Sequence, residues 1–166
     1  MSAGVKEEVK FCECCGARLM GRWERVTPGL VRTLIKFKRA VLAHNRNRVH
    51  VWKEAGLVTN ELCNFQKLRF HALVAKVRDA QGNHEIGYWL LTKRGNQFLK
   101  GLMAVPRRVF VFRNEVKNHD TATVTIKDVL RSQELPHFET RDTLEYEIDG
   151  DMAHAAQKDL FDGLAL

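Results

Sequence analysis

Between Thr59 and Leu102 the hydrophobic period switches from helical to strand-like and back, and that order restricts the chain to few architectures. Thr59 is a good N-cap for a helix over Asn60 to Ala72, with Leu62, Phe65, Leu68 and Ala72 facing inward. Leu73-Val74-Ala75-Lys76-Val77 has strand character, Asp79 to Asn83 is a turn, and Ile86 to Leu91 is an apolar returning strand. Thr92 then caps a helix from Lys93 to about Leu102, with Phe98, Leu99 and Leu102 apolar. A hairpin between two helices predicts an antiparallel sheet and an α+β fold.

Upstream, Thr27-Pro28 opens another helix: threonine caps, and proline suits the first helical position. Leu30, Val31, Leu34, Ile35, Val41 and Leu42 recur at helical spacing up to about His44, with Arg32, Lys36 and Arg39 on another face. Asn45 to Lys53 reads as a loop into a short β-like run carrying Val49, Val51 and Trp52. After Pro106, Val109 to Phe112 and Thr123 to Ile126 are β-rich runs around Asn118-His119-Asp120, expected to pair as an added hairpin. The organisation expected is an N-terminal arm over 1–26, a central domain over 27–104, the hairpin over 105–131, and a largely flexible acidic tail over 132–166.

The central stretch resembles the winged-helix fold. The resemblance lies in Asn64-Phe65-Gln66-Lys67-Leu68-Arg69-Phe70-His71-Ala72-Leu73-Val74 and in Gly87-Tyr88-Trp89-Leu90-Leu91-Thr92-Lys93-Arg94-Gly95. Winged-helix regulators run similarly from a helix through Leu-Val into a wing, and close on Leu-Thr-x-x-Gly. Two departures stand out. The first helix of the turn shrinks to Lys53-Glu54-Ala55-Gly56, and Ala72 replaces the glycine that commonly precedes Leu-Val. The resemblance implies that the helix Asn60 to Ala72 is a recognition element. Asn60, Asn64, Lys67 and His71, at i, i+4, i+7 and i+11, would form one polar stripe of base readers with Arg69 at its margin. Lys76, Arg78, Asn83 and His84 on the wing would meet phosphates or the minor groove, and Arg46, Arg48 and Lys53 add positive charge upstream to the DNA-binding surface.

Charge points the same way. From Ser132 to Leu166 nine acidic and two basic residues give −7; taking that from the total of +7 leaves +14 on residues 1–131. So basic a block is the electrostatic footprint that nucleic acid attracts. Winged helices also serve as protein-binding modules, so a second reading stays open: a small phage or mobile-element accessory protein or inhibitor docking on nucleic-acid machinery.

Two short motifs add candidates. Cys12-Glu13-Cys14-Cys15-Gly16 contains C-x-x-C-G, the shape of a zinc knuckle, so Cys12 and Cys15 could share a structural zinc. No second pair follows at ribbon spacing, and reduced, metal-free cysteines remain the other reading. Gln157-Lys158-Asp159-Leu160-Phe161 resembles the pentapeptide by which many bacterial proteins dock on the DNA polymerase sliding clamp, with Lys158 where leucine is commonest. Gln157, Asp159, Leu160 and Phe161 would be its contacts; a terminal amphipathic helix folding back on the body is the alternative.

No Gly-rich phosphate loop, nucleophile elbow or H-E-x-x-H occurs, and Glu145, Glu147 and Asp149 read as solvated acidic tail, so no enzyme is expected. Nor does any run approach the ~20 apolar residues of a membrane span. The polar start MSAGVKEEVK has no signal-peptide core, which predicts a cytoplasmic protein whose monomeric or dimeric state stays open.

Overall fold

The computed structural model describes residues 10–16 and 18–131, together with Leu135, Pro136, Phe138 and Tyr146. Helices and strands mix in small open antiparallel sheets, an α+β arrangement. Helix α1 (Pro28–His44) starts where Thr27 Oγ1 accepts from the Leu30 N–H at 3.3 Å, and ends where Asn45 turns left-handed at φ 49°. Leu30, Val31, Leu34, Ile35, Phe37 and Val41 are buried, but Leu42 is 42% exposed because it falls one residue past the apolar stripe.

Strands β4 (Arg48–His50), β5 (Val74–Arg78) and β6 (His84–Leu91) form an antiparallel sheet in the order β4-β6-β5, with Val49 opposite Trp89 and Val74 opposite Leu91. The Asn47 amide ties β6 down by pairing with both the N–H and C=O of Leu91 at 2.9 Å. The expected β-run ends at His50, so Trp52 lies outside it and is exposed. A single helical turn follows, in which His50 C=O accepts from Glu54 and Ala55 N–H at 3.0 Å. His50 Nδ1 accepts the Trp52 and Lys53 N–H groups, while the Glu54 carboxylate accepts from His50 N–H at 2.7 Å.

Helix α2 spans Thr59–Phe65 and continues as a 3-10 helix over Gln66–His71. Thr59 lies inside α2 rather than capping it; Glu61 Oε2 accepts the free Val58 N–H instead, at 2.9 Å. The tightening to three residues per turn stacks Phe65, Leu68 and His71 on one buried face, which an α-helical period would have divided. Ala72 ends the element left-handed at φ 58°, the conformation that explains why a glycine suits this place.

Helix α3 (Lys93–Leu99) begins at Thr92, whose hydroxyl accepts from Gly95 N–H and donates to Ala72 C=O at 2.6 Å. A Cβ on Gly95 would stand 2.1 Å from the Leu73 carbonyl oxygen, so this close crossing requires glycine. The helix ends at Leu99, short of Leu102, which is exposed.

The expected pairing after Pro106 is corrected. Strand β8 (Arg108–Phe112) turns through Arg113 and Asn114, at φ 51° and 62°, and pairs with β9 (Glu115–His119). Thr123–Val124 (β10) pairs instead with Val105–Pro106 (β7), and Ile126–Leu130 forms helix α4, capped by Thr125 and Asp128. On its other edge β8 receives β3 (Arg22–Arg25), giving a second sheet in the order β3-β8-β9. Local patterning missed this pairing because it joins segments far apart in the chain. Further out, β1 (Lys10–Phe11) and β2 (Arg18–Leu19) make a small hairpin around the cysteines.

The main core gathers α1, α2, α4 and the sheet β4-β6-β5, with the Phe65 ring 5.1 Å from Phe37 and 5.3 Å from Trp89. Lys38 is buried in it: Nζ donates to Asn96 Oδ1 at 2.8 Å and to the Tyr146 hydroxyl, and lies 4.7 Å from the Tyr146 ring. Phe138 and Tyr146 both pack on this core, so the expected flexible tail is fastened to the body at these positions.

Candidate nucleic-acid interface

A groove of about 460 Å³ runs between β3, the first turn of α1 and α2, lined among others by Trp23, Glu24, Arg25, Asn60, Asn64 and Lys67. Three of the expected readers therefore converge there. Asn60 and Asn64 are exposed, one turn apart, with the Asn64 amide donating to Asn60 C=O at 2.8 Å. Lys67 Nζ stands 3.6 Å from the carboxylate of Glu24, which is 7% exposed and also pairs with Arg22. Glu61 sits on the same wall; its bond from Lys36 and the Val58 N–H hold its carboxyl below the usual range.

His71 is not a reader. The 3-10 turn carries it into the core, where it is fully buried and neither ring nitrogen meets a hydrogen-bond partner among the described residues. Burial, with Arg94 nearby and partly offset by Glu24, lowers its pKa to about 4. Arg69 is half-buried, its guanidinium 4.9 Å from the Phe70 ring centroid.

On the hairpin, Asn83 and His84 are exposed, and Asp79 Oδ1 accepts from the Gln81 and Asn83 N–H groups to shape the turn. Arg78 donates to Gly82 C=O at 2.6 Å, bracing that turn. Lys76 is half-buried, with Nζ 5.9 Å from the Trp89 ring centroid. Arg46 pairs with Glu54, and Arg48 pairs with Glu85 while lying 3.8 Å above the Tyr88 ring. Lys53 is exposed.

Sequence reasoning passed over Trp23, Glu24 and Arg25. The alternation in Arg22-Trp23-Glu24-Arg25-Val26 was the available signal, with Glu24 and Val26 buried and their neighbours exposed. Trp23 is 38% exposed, edge-on to Phe110 at 5.4 Å, with the Arg108 guanidinium 4.5 Å from its ring centroid.

Cys12, Cys14 and Cys15 occupy the turn of the β1–β2 hairpin. Hydrogen bonding from the Cys14 and Cys15 backbone draws the Cys12 thiol down to about 7. No three His, Cys, Asp or Glu residues converge on a metal-sized position among the described residues. The pentapeptide residues Gln157, Asp159, Leu160 and Phe161 lie outside the described residues. Among the described residues no helix is long and apolar enough to cross a membrane. No protein-family model, curated protein or solved structure matches this chain.

Proposed function

We propose that this chain is a non-catalytic double-stranded DNA-binding protein of winged-helix type, acting in gene regulation or a replication-linked process. One observation carries the reading: the order α1, β4, helical turn, α2, β5, β6, α3, together with the antiparallel strand order β4-β6-β5. In this reading the turn after His50 is the remnant of the first helix of the motif, α2 is the recognition element, and the Asp79–Asn83 turn tips the wing. The surplus of +14 over residues 1–131 supplies salt-sensitive attraction to phosphates. Asn60, Asn64 and Lys67 remain the readers, with exposed Asn83, His84 and Lys53 as flanking contacts. Arg46, Arg48 and Arg78 already hold acceptors within the chain and act by shaping the surface.

The protein-interaction reading has its own support in the groove, where Glu24 and Glu61 stand beside Lys67 and Arg25. Mixed charge next to a half-exposed Trp23 suits a peptide better than a phosphate backbone. We also propose that the Cys12–Cys15 turn binds structural zinc, and that the 157–161 segment docks on a sliding clamp.

Fluorescence anisotropy of the full chain on random duplex DNA, titrated from low to physiological salt, tests the DNA reading. The logarithm of affinity should fall linearly with the logarithm of salt, and Lys53→Ala and Lys67→Ala should each reduce the slope by about 1. Absence of binding at low salt overturns DNA recognition and leaves the groove as a peptide site.

A further inference from the structure

Over the outer half of the β5–β6 hairpin the two strands fall out of step. Lys76 lies opposite Trp89 and Arg78 opposite His84, so β6 spends extra residues over this stretch and bulges. Gly87 lies within the bulge and is left-handed at φ 80°. A Cβ there would stand 2.4 Å from His50 Nε2, so backbone and packing both require glycine. The preceding residue, Ile86, is 91% exposed. A bulge re-aims the side chain beside it, and this one holds a branched apolar side chain out in water.

The β4 edge adds a second apolar group at the same end of the sheet. His50 pairs with Tyr88, and Val51 N–H then donates to Gly87 C=O at 2.9 Å, so the two segments run side by side up to Trp52 and Ile86. Trp52 is 64% exposed. Lys53 follows it directly, Asn83 and His84 precede the bulge, and all three are exposed. The carboxylates nearest in the chain are occupied internally: Glu54 by Arg46 and the His50 N–H, Glu85 by Arg48, and Asp79 by the Gln81 and Asn83 N–H groups. A lysine beside an exposed isoleucine and tryptophan suits a nucleic acid, whose phosphates meet the charge and whose bases meet the apolar side chains. A stable protein interface centres on a wider, charge-depleted apolar core.

We propose that Ile86 is an apolar wedge that the hairpin inserts between base pairs in the minor groove of duplex DNA, kinking it, with Trp52 packed against the base step that opens. The proposal rests on the DNA reading above and adds to it the mode of engagement.

The test uses the full chain and a random-sequence duplex of about 20 base pairs with a donor and an acceptor dye at its two ends, at low salt. Binding should bring the dyes closer, as a kink of about 60° does. Ile86→Ser and Trp52→Ala should each weaken binding about tenfold, and Ile86→Ser should also abolish the kink. Neither should change the slope of affinity against salt, because neither removes a charge. Ile86→Leu should retain the kink. Lys53→Ala should do the reverse of Ile86→Ser, lowering the slope by about 1 and keeping the kink. Both apolar side chains lie largely in water, so urea unfolding of these variants should match that of the unaltered chain. No binding by the unaltered chain overturns the DNA reading and the wedge together. Binding without a kink, or a kink that survives Ile86→Ser, overturns the wedge and keeps the DNA reading. Unchanged DNA affinity in both Ile86→Ser and Trp52→Ala also overturns it and assigns the two side chains to a protein partner.

Discussion

The sheet β4-β6-β5 buries Val49, Val74, Trp89 and Leu91 with α1 and Phe65, whereas the sheet β3-β8-β9 shares a small cluster of Phe70, Val109 and Val111, with Val116 at its margin. The first is built on the local β5–β6 hairpin with capped helices on either side, to which β4 adds as a more distant edge strand. The second joins residues 22–25 to 108–112, and much of its cohesion is aromatic and ionic: Trp23 against Phe110 and Arg108, and Asp120 bonded to Arg107 and Arg108. Exposed ion pairs of that kind are screened by water and contribute little. The difference teaches where stability and adaptability lie. One region sets the global stability, and the other, which walls the candidate groove, opens at lower cost.

The largest expected effect separates the two directly. Phe65→Ala empties the junction of Phe37 and Trp89 and should lower global stability by about 4 kcal/mol in urea unfolding. Val111→Ala should cost about 2 kcal/mol. Its amide exchange should rise first in β8 and β9 while β5 and β6 stay protected. Equal loss of protection in both sheets would remove the distinction.

His71 links the two regions electrostatically, since Glu24 of β3 and Arg94 of α3 both act on it. Buried neutral with a pKa near 4, against 6.5 when free, it binds a proton less readily folded than unfolded. Stability is therefore full above pH 6.5 and falls as pH drops toward 4, by up to about 3 kcal/mol. His71→Leu should flatten that part of the profile, and an unchanged slope would assign it to other groups.

The smallest effect concerns Ala72. Replacing it with glycine relieves a left-handed alanine, about 1 kcal/mol, and loses a buried methyl group worth about 0.8 kcal/mol. A gain of a few tenths of a kcal/mol in urea unfolding is expected, and any substantial loss would show that the methyl packing dominates.

Legibility followed sequence distance. Caps, periods and turn residues identified α1, the β5–β6 hairpin and α3, because each depends on neighbours a few residues away. The pairing of β8 was misassigned because Glu115–His119 is mostly polar and reads as a connection, whereas the left-handed turn at Arg113-Asn114 folds it back onto β8. Among the site residues, Asn60, Asn64 and Lys67 were legible as one polar face. Trp23 and Glu24 were not, since only the long-range pairing of β3 carries them to it. Lys38 illustrates the same limit: it falls beside the apolar stripe of α1 and gains burial through Asn96 and Tyr146, both remote in the chain.

The sequence by itself determined the alternation of helix and hairpin, the caps at Thr27 and Thr92, the basic body and the cysteine turn, all of them consequences of local backbone preference and charge. Tertiary structure alone decided that six residues after Phe65 tighten into a 3-10 turn. That change of period sends His71 into the core while leaving Lys67 at the groove, because Phe70 must reach Val109 and Val111 as Leu68 meets the main core. Packing against two cores at once overrode the α-helical period, and local propensity carries no record of that demand.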